Sequence, residues 1–349
     1  MLTVAFDAEH TRQSAAGIAR YAKGLVTALR KRGDVSVLEL GGGEVVARNT
    51  LRKRAVTLRQ DFVWYPWLGR NRAADAHADV YHVPLPRGPI TKGTPPLVVT
   101  VHDLVSLLFP ETMTPWSRLY SRFTLRRILD AADRILTPSA DTADDLRSLL
   151  KIPSARIRVV HNGVDEFFFE SPVEPGEVAF RDDGPYVLFV GTPEPRKNLD
   201  RLVAAMALLR KRGRNEQLVI AGGGGWGQSS ADAPHVRWLG RVSDSDLRML
   251  YANALCLALP SLHEGFGLPA VEAMATGTPV VASRTGALPE ITAGAAVLVD
   301  PLNIADIADG IARCIAERAS FAALGRERAK QFTWDRAAAG TMAVYRELA

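Results

Sequence analysis

The chain has 349 residues, 47% of them hydrophobic, and a formal net charge of +5 at pH 7. This length suits two domains of ordinary size, and no apolar run is long enough to predict a transmembrane helix. Cys256 and Cys314 lie in apolar surroundings without metal-ligand spacing, so we expect buried thiols in a reducing compartment, with no disulfide framework and no metal site. Because residues 1–10 form a strand pattern and lack the layout of a signal peptide, we expect a cytoplasmic protein.

The charge is divided unevenly along the chain. Residues 1–165 hold 24 Lys and Arg against 16 Asp and Glu, whereas the remaining residues hold 19 against 22. The basic first half indicates an anionic partner, for which a membrane surface or a phosphorylated acceptor is suitable. No nucleic-acid-binding motif accompanies this charge, so we expect no nucleic-acid partner.

Short β-rich runs alternate with helical patterns through the first half, which predicts a parallel α/β sheet. The predicted strands are residues 2–8, 35–40, 79–83, 97–101, 135–138 and 156–160, and the predicted helices are 18–30, 116–131 and 140–149. Gly17 lies between the first strand and the first helix, where a phosphate can approach, but the G-x-G-x-x-G fingerprint of a dinucleotide site is absent. His102 follows the strand 97–101 at its carboxyl end, where ligands meet open α/β sheets.

Residues 48–72 alternate cationic and aromatic side chains. The cations are Arg48, Arg52, Lys53, Arg54, Arg59, Arg70 and Arg72, and the apolar residues are Val63, Trp64, Tyr65 and Trp67. Such a segment is typical of a surface that binds an anionic membrane or an acceptor. The pattern is explained equally well by a helix whose cations face solvent while its aromatic side chains pack into the core. Both interpretations therefore stay open.

The βα pattern starts again after a Pro-, Gly- and acid-rich linker at 165–184. The predicted strands are residues 186–190, 218–221, 236–239, 257–259 and 280–282. The predicted helices begin at 199, 244, 303 and 318, with a last one over 332–348. Arg196 and Lys197 precede the first of these helices, where cations oppose the helix dipole unless an anion is bound. We therefore interpret them as a diphosphate clamp for a transferase that needs no metal, against the alternative of an ordinary surface pair.

Two carboxylates, Glu264 and Glu272, lie eight residues apart around a glycine-rich turn. Free N–H groups of residues 265–268 at a helix start could hold a phosphate. Eight residues make about 2.2 helical turns, which predicts both carboxylates near one face. Carboxylates accept hydrogen bonds from hydroxyl groups, so the pattern favours a sugar nucleotide, with one Glu on the hexose and one on the ribose. The alternative is a surface helix with a joining loop.

The stretch HEGFGLP with its paired glutamates resembles the E-x7-E signature of glycosyltransferase family 4, whose members are retaining enzymes of GT-B fold. The resemblance covers nearly the whole chain and is strongest over 186–300. It implies two Rossmann-like domains facing each other across a cleft: an acceptor-binding domain over 1–165 and a nucleotide-sugar-binding domain over 166–330. Residues 162–165 resemble the crossover between the domains, and 331–349 would form a helix that returns to the first domain.

The resemblance also implies roles for individual residues. Gly17 would border the donor diphosphate, His102 would lie beside the donor sugar, and Val242 belongs to a loop similar to the one that meets the nucleobase. Thr192 departs from the family, which often has an arginine there. The predicted catalytic residues are His102 and Glu264, and no metal or cofactor is expected. The predicted donor-binding residues are Gly17, Arg196, Lys197, Val242, Phe266, Gly267, Leu268 and Glu272.

The resemblance implies transfer of a hexose, with retention, from a nucleotide sugar to a glycan or a lipid-linked acceptor in cell-envelope polysaccharide or glycolipid synthesis. Mannose from GDP-mannose is the first expectation, because the turn at 191–198 is similar to that of polysaccharide mannosyltransferases; UDP- and dTDP-sugars stay open. The alternatives are a non-catalytic nucleotide-sugar-binding protein and a GT-B epimerase or phosphorylase-like protein. A nicotinamide dehydrogenase is disfavoured by the missing fingerprint. A peripheral position at the inner face of the cell membrane follows if 48–72 binds lipid.

Overall fold

The computed structural model describes residues 1–9, 17–41, 57–112, 115–170, 184–223 and 234–349. Two compact units divide the chain: residues 1–163 together with 334–349, and residues 164–333. Most of the predicted linker falls on 171–183, outside the described residues. In the described part of the chain, no helix combines the length and the apolar character that crossing a bilayer requires.

The first unit is built on a six-stranded parallel sheet in the order β2-β1-β3-β4-β5-β6. Its strands are β1 Leu2–Asp7, β2 Val35–Leu40, β3 Val80–Val83, β4 Leu97–Thr100, β5 Arg134–Thr137 and β6 Ile157–Val159. Its helices are α1 Gly17–Lys31, the π-helical segment Gln60–Leu68, α2 Gly69–Asp75, α3 Val105–Leu108, α4 Pro115–Ala131 and α5 Ala140–Leu150. β3 and β4 are buried along their whole length, as expected for apolar strands that are covered on both faces.

The last helix of the chain, α12 Trp334–Arg346, belongs to this first unit. Met342 and Tyr345 of α12 share a core cluster with Leu25 and Leu29 of α1 and with Phe6 of β1. The C-terminal helix therefore supplies part of the core that supports the first sheet.

The second unit repeats the plan with a parallel sheet in the order β12-β11-β10-β7-β8-β9. Its strands are β7 Tyr186–Val190, β8 Gln217–Ala221, β9 Val236–Gly240, β10 Cys256–Leu259, β11 Val280–Ser283 and β12 Val297–Val299. Its helices are α6 Leu199–Lys211, α7 Asp244–Asn253, α8 Leu268–Thr276, α9 Leu288–Thr292, α10 Ile304–Ala316 and α11 Arg318–Ala329. Cys256 and Cys314 are buried free thiols in one core cluster, which confirms their predicted state.

The predicted two-domain α/β architecture is confirmed, and each predicted strand is present with ends that differ by at most one residue. Ser139 and Ser243 cap helices as their position suggests, because each hydroxyl accepts the backbone N–H three residues on. The short strand β12 has no predicted counterpart, because three residues are too few for a periodic signal.

Candidate active site

The candidate site of the second unit lies where its strand order reverses. The chain leaves β7 toward β8 on one side and leaves β10 toward β11 on the other. Ligands of open α/β sheets bind outside the carboxyl ends of the strands that flank such a switch point. Loop 191–198 follows β7 and loop 260–267 follows β10. The backbone N–H of Leu262 donates to the carbonyl oxygen of Arg196 (2.7 Å), so the two loops are in direct contact.

Asn198 fixes the loop that follows β7. It has a left-handed backbone with φ of 58°, and its side-chain amide donates to the carbonyl oxygens of Pro260 (2.8 Å) and Pro301 (2.6 Å). Arg196 and Lys197 lie in a single 3-10 turn before Asn198. The two cations therefore lie in the turn immediately before α6, as the sequence predicts.

Glu264 brings both predicted cations together. Its carboxylate accepts from Lys197 Nζ (2.6 Å), Arg196 Nη1 (3.2 Å) and Ser261 Oγ (2.7 Å). The Arg196 guanidinium also donates to the carbonyl oxygen of His263 (2.7 Å). Between 9% and 12% of each of the three charged side chains is exposed. We call Arg196, Lys197 and Glu264 the ion cluster; the Arg196 guanidinium also pairs with the carboxylate of Glu194 (3.4 Å).

The ion cluster determines the protonation of Glu264. Burial by itself opposes ionisation of this carboxyl, but the charges of Lys197 and Arg196 and the hydrogen bonds from Lys197 and Ser261 outweigh burial. Together they lower the pKa of Glu264 from 4.5 to about 2. The carboxylate is therefore ionised at neutral pH and acts as an acceptor, not as a general acid.

Two glycines allow the backbone to pack closely around Glu264. Gly286 has φ of 64°, and a Cβ added there would lie 2.8 Å from both the nitrogen and the oxygen of the Glu264 backbone. The next residue, Ala287, donates its N–H to that same oxygen (2.9 Å). Gly267 has φ of 91°, and its added Cβ would lie 2.6 Å from Leu288 Cδ2. Loop 284–287 therefore packs directly against the loop that carries Glu264. A larger residue at either glycine would be strained because both have a left-handed backbone, and at Gly286 it would also meet the Glu264 backbone.

Glu272 occupies a different setting from the one the spacing predicts. Because α8 begins at Leu268, Glu264 precedes the helix, and helical periodicity does not relate the two carboxylates. The periodicity argument for a single face was therefore wrong. Glu272 lies inside α8, is almost fully buried, and accepts from the hydroxyl of Tyr251 of α7 (2.9 Å).

The remaining predicted residues of this unit surround the two loops to different degrees. Phe266 is buried, and its ring meets the ring of Phe332 edge-on, with centroids 5.6 Å apart. Its side chain therefore belongs to the core, so that only its backbone could serve a ligand. Gly267 caps the N-terminus of α8, and Leu268 is the first helical residue. Val242 is half-buried and packs against the same core cluster.

His102 and Gly17 lie in the first unit. The Nε2 atom of His102 is 2.9 Å from the carbonyl oxygen of Pro84 and must donate to it, so the neutral ring carries its proton on Nε2 and offers Nδ1 as an acceptor. Burial lowers the pKa of His102 below 6.5, which favours this neutral form. Gly17 is exposed and is the first residue of α1, while residues 10–16 before it lie outside the described residues.

A chain of buried polar side chains lies behind His102. The Tyr21 ring meets the imidazole edge-on with centroids 4.6 Å apart, and its hydroxyl is 2.9 Å from Thr100 Oγ1. Thr100 is 2.8 Å from Nε2 of His82, whose Nδ1 is 2.5 Å from the hydroxyl of Tyr345. Burial lowers the pKa of His82 to about 3, so this ring is neutral. One of its nitrogens donates a hydrogen bond to a neighbour and the other nitrogen accepts one. This series of polar contacts runs from Tyr345 on α12 to Tyr21, whose ring packs against His102.

Sequence comparisons place each half of the chain in a glycosyltransferase group. Residues 171–332 match the family described as "Glycosyl transferases group 1", and residues 15–166 match "Glycosyltransferase Family 4". The O-antigen chain mannosyltransferase B of Escherichia coli is 32% identical over 270 residues, which cover 72% of this chain and 70% of that protein. The chain belongs to glycosyltransferase family 4. Another relative in sequence, the MMP alpha-(1->4)-mannosyltransferase of Mycolicibacterium hassiacum, is 34% identical over 63% of this chain and 55% of its own length.

Solved structures have the same fold as this family 4 glycosyltransferase. Sucrose-phosphate synthase from Thermosynechococcus elongatus aligns with a TM-score of 0.74 at 22% identity, over 100% of this chain and 99% of that one. WaaG, a glycosyltransferase involved in lipopolysaccharide biosynthesis, aligns with a TM-score of 0.67 at 18% identity over 99% of each chain. Anabaena HepE in complex with UDP and glucose aligns with a TM-score of 0.71 at 17% identity over 100% of each chain. The GT-B fold prediction is confirmed.

Sequence reasoning missed three residues that shape the site of this glycosyltransferase. Ser261 donates to Glu264, Gly286 packs on its backbone, and Tyr251 donates to Glu272. A signal existed for Gly286, because Ser, Thr and Gly after a predicted strand indicate a turn at the edge of the sheet. Tyr251 had none, since its partner lies on another helix.

Proposed function

We propose that this glycosyltransferase transfers a hexose from a nucleotide sugar, with retention at the anomeric carbon and without a metal ion. The acceptor is a glycan or a lipid-linked saccharide of cell-envelope polysaccharide or glycolipid synthesis. The ion cluster at the switch point is the observation that carries this proposal, because it places two buried cations where α/β sheets bind phosphates.

The chemistry of the cluster suits a diphosphate leaving group. A lysine ammonium has three N–H donors, of which the bond to Glu264 uses one. Because Arg196 and Lys197 are almost fully enclosed and are held by the carboxylates of Glu194 and Glu264, a diphosphate would find fixed, charged donors there. Arg196 and Lys197 would stabilise the charge that develops on the phosphate as the bond to the sugar breaks. Amides of residues 266–268 and Gly17 would add neutral donors.

The two glutamates would hold hydroxyl groups. Glu264 is ionised, and a carboxylate has about four acceptor positions, so it can bind a sugar hydroxyl in addition to its present donors. Glu272, which is oriented by Tyr251, would accept from the ribose. Val242 would lie against the nucleobase. The Nδ1 atom of His102 would accept a hydrogen bond from a hydroxyl group of the sugar or the acceptor. The departing phosphate oxygen would take the acceptor's proton as the new glycosidic bond forms on the same face of the sugar.

The relatives guide the choice of donor. Two of them are named as mannosyltransferases, which supports mannose and GDP-mannose as the first candidate. HepE, which shares the fold, is described in complex with UDP-glucose, so a UDP-sugar is the second candidate.

The first test compares Lys197→Ala with wild type by calorimetry, using GDP-mannose, UDP-glucose, dTDP-glucose and ADP-glucose in the presence of EDTA. We expect one nucleotide sugar to bind wild type and to bind the variant about 10- to 100-fold more weakly, because a hydrogen bond to a charged group is lost. Lys211→Ala removes an exposed lysine of the same unit and should bind like wild type. If no nucleotide sugar binds at millimolar levels, the donor site is wrong. Donor conversion without any acceptor would instead support an epimerase.

A further inference from the structure

The first unit presents a group of exposed apolar side chains on two adjacent helices. Leu58, Phe62, Val63, Trp67, Trp116, Leu119 and Phe123 remain between 38% and 62% exposed. We call these seven residues the aromatic platform. Leu119 and Phe123 lie three and seven residues after Trp116 along α4, which places the three side chains on one helical face. Phe62 and Trp67 are five apart in the π-helical segment, where hydrogen bonds join residues at that spacing, so they lie on neighbouring turns.

The two helices of the platform are joined by a buried carboxylate. Asp61 accepts from Trp116 Nε1 (2.9 Å) and from Arg87 Nη1 (2.9 Å), and its side chain has no exposed surface. The Phe62 and Trp116 rings lie 6.1 Å apart, and the Arg87 guanidinium lies 5.1 Å from the centre of the Tyr120 ring. The Phe62 and Trp116 rings are therefore held side by side above a buried ion pair, which joins the two helices of the platform.

The surroundings of the platform are basic. α4 carries Arg118, Arg122, Arg126 and Arg127 against the single acid Asp130, and all five residues are exposed. Arg59 is also exposed beside Leu58. A face that combines exposed tryptophan and phenylalanine with unbalanced arginines is typical of helices that lie in the headgroup region of a bilayer, where rings enter the interface and cations meet anionic lipid.

We propose that the aromatic platform binds the surface of an anionic lipid bilayer. Apolar patches of this kind occur at protein interfaces as well as at membranes. The charge decides between them, since the four exposed arginines of α4 and Arg59 outnumber the two exposed acids Glu111 and Asp130. The segment 48–72 was a candidate for membrane contact in the sequence. The structure assigns this role to its second part together with α4, while residues 48–56 lie outside the described residues. The proposal rests on the proposed function only in that a lipid-linked acceptor would be met at this surface.

Flotation of the full-length protein with vesicles of phosphatidylcholine and phosphatidylglycerol tests the proposal. Wild type should bind at low salt, be released by high salt, and bind pure phosphatidylcholine more weakly. Removing two rings with Trp67→Ala and Phe123→Ala should lower the partition coefficient by about tenfold or more. The pair Arg122→Gln and Arg127→Gln should lower it by about 30-fold. The control pair Leu302→Ala and Leu324→Ala removes exposed leucines of the second unit and should bind like wild type.

Several outcomes would overturn the proposal. Wild type that does not float with anionic vesicles, or platform variants that float equally well, would remove it. Sedimentation that shows a dimer of wild type and a monomer of the platform variants, without vesicle binding, would make the platform a self-association surface. Nucleotide-sugar binding should be the same in all these variants, so a failure here is distinguishable from a failure of the donor site.

Discussion

Glu264 owes its ionised state to two neighbours, and this dependence can be tested at the level of one residue. Burial alone would raise the pKa of this carboxyl, because desolvation penalises its charged form. Lys197 and Arg196 reverse that preference. The dependence is mutual for Lys197, which is almost fully enclosed against Glu264, whereas Arg196 also has Glu194 as a partner.

Replacing Glu264 with glutamine should destabilise the second unit in a pH-dependent way. Breaking a buried ion pair by removing one partner costs about 3–5 kcal/mol. Because the pKa of Glu264 is lowered from 4.5 to about 2 by folding, its contribution to the free energy of unfolding is complete above pH 4.5 and is lost as the pH falls toward 2. Urea unfolding of wild type and Glu264→Gln should thus differ most at pH 7 and converge near pH 2.

The control for this prediction is Glu317→Gln. Glu317 forms an exposed pair with Arg313 four residues away, and such surface pairs contribute little to stability. A difference between wild type and Glu264→Gln that is constant from pH 7 to pH 2 would show that the glutamine acts through packing and not through charge.

At the scale of elements, the loop after β11 determines where the loop after β10 can lie. Gly286 is needed for two separate reasons: its left-handed backbone, with φ of 64°, and the close approach of the Glu264 backbone. Gly294 has a similar φ of 85° but no atom within 4 Å of an added Cβ. The chain therefore contains a matched pair that separates backbone strain from steric contact.

Gly286→Ala should weaken donor binding, whereas Gly294→Ala should not. Both substitutions put alanine in a left-handed conformation, which costs roughly 1–2 kcal/mol of stability. Gly286→Ala must in addition displace the loop that carries Glu264, so we expect about tenfold weaker donor binding, since small displacements of a positioned group have large effects. Calorimetry with the donor and thermal unfolding of both variants measure the two effects. Equal donor affinity in the two variants would contradict the close-approach argument.

Sequence patterns predicted these elements better than their contacts. Apolar runs and Ser caps located strands and helices because those signals are local, as for Ser139 and Ser243. The π-helical segment was not predicted, since no periodicity distinguishes buried Trp64 from exposed Trp67 three residues later. The buried rings of Trp64 and Tyr65 agree with the interpretation of this segment as part of the aromatic core, while membrane or acceptor binding stays a prediction. The partner of Glu272 depends on the packing of α7 against α8, which spacing along the chain does not encode.

At the scale of the whole molecule, α12 returns the end of the chain to the first sheet. An added Cβ at Gly24 of α1 or at Gly163 would overlap Trp334. Tyr345 reaches His82 across 263 positions of sequence. Helical periodicity predicts α12, and the family resemblance predicts that this helix packs on the first domain. The role of Gly24 and Gly163 in making room for the Trp334 ring is recognisable only once the packing is known.

Gly24→Ala should therefore destabilise the protein although alanine is the better helix former. Alanine in a helix interior gains about 1 kcal/mol over glycine, while overpacking a filled core costs about 1–3 kcal/mol. Because the added methyl would occupy the space of the Trp334 ring, we expect the second effect to prevail in wild type. In a Trp334→Ala background the ring is gone, and the same substitution should then stabilise α1 by up to about 1 kcal/mol. Urea unfolding of the four proteins in this double-mutant cycle measures the reversal; a Gly24→Ala that stabilises both backgrounds would mean that Trp334 does not lie against α1.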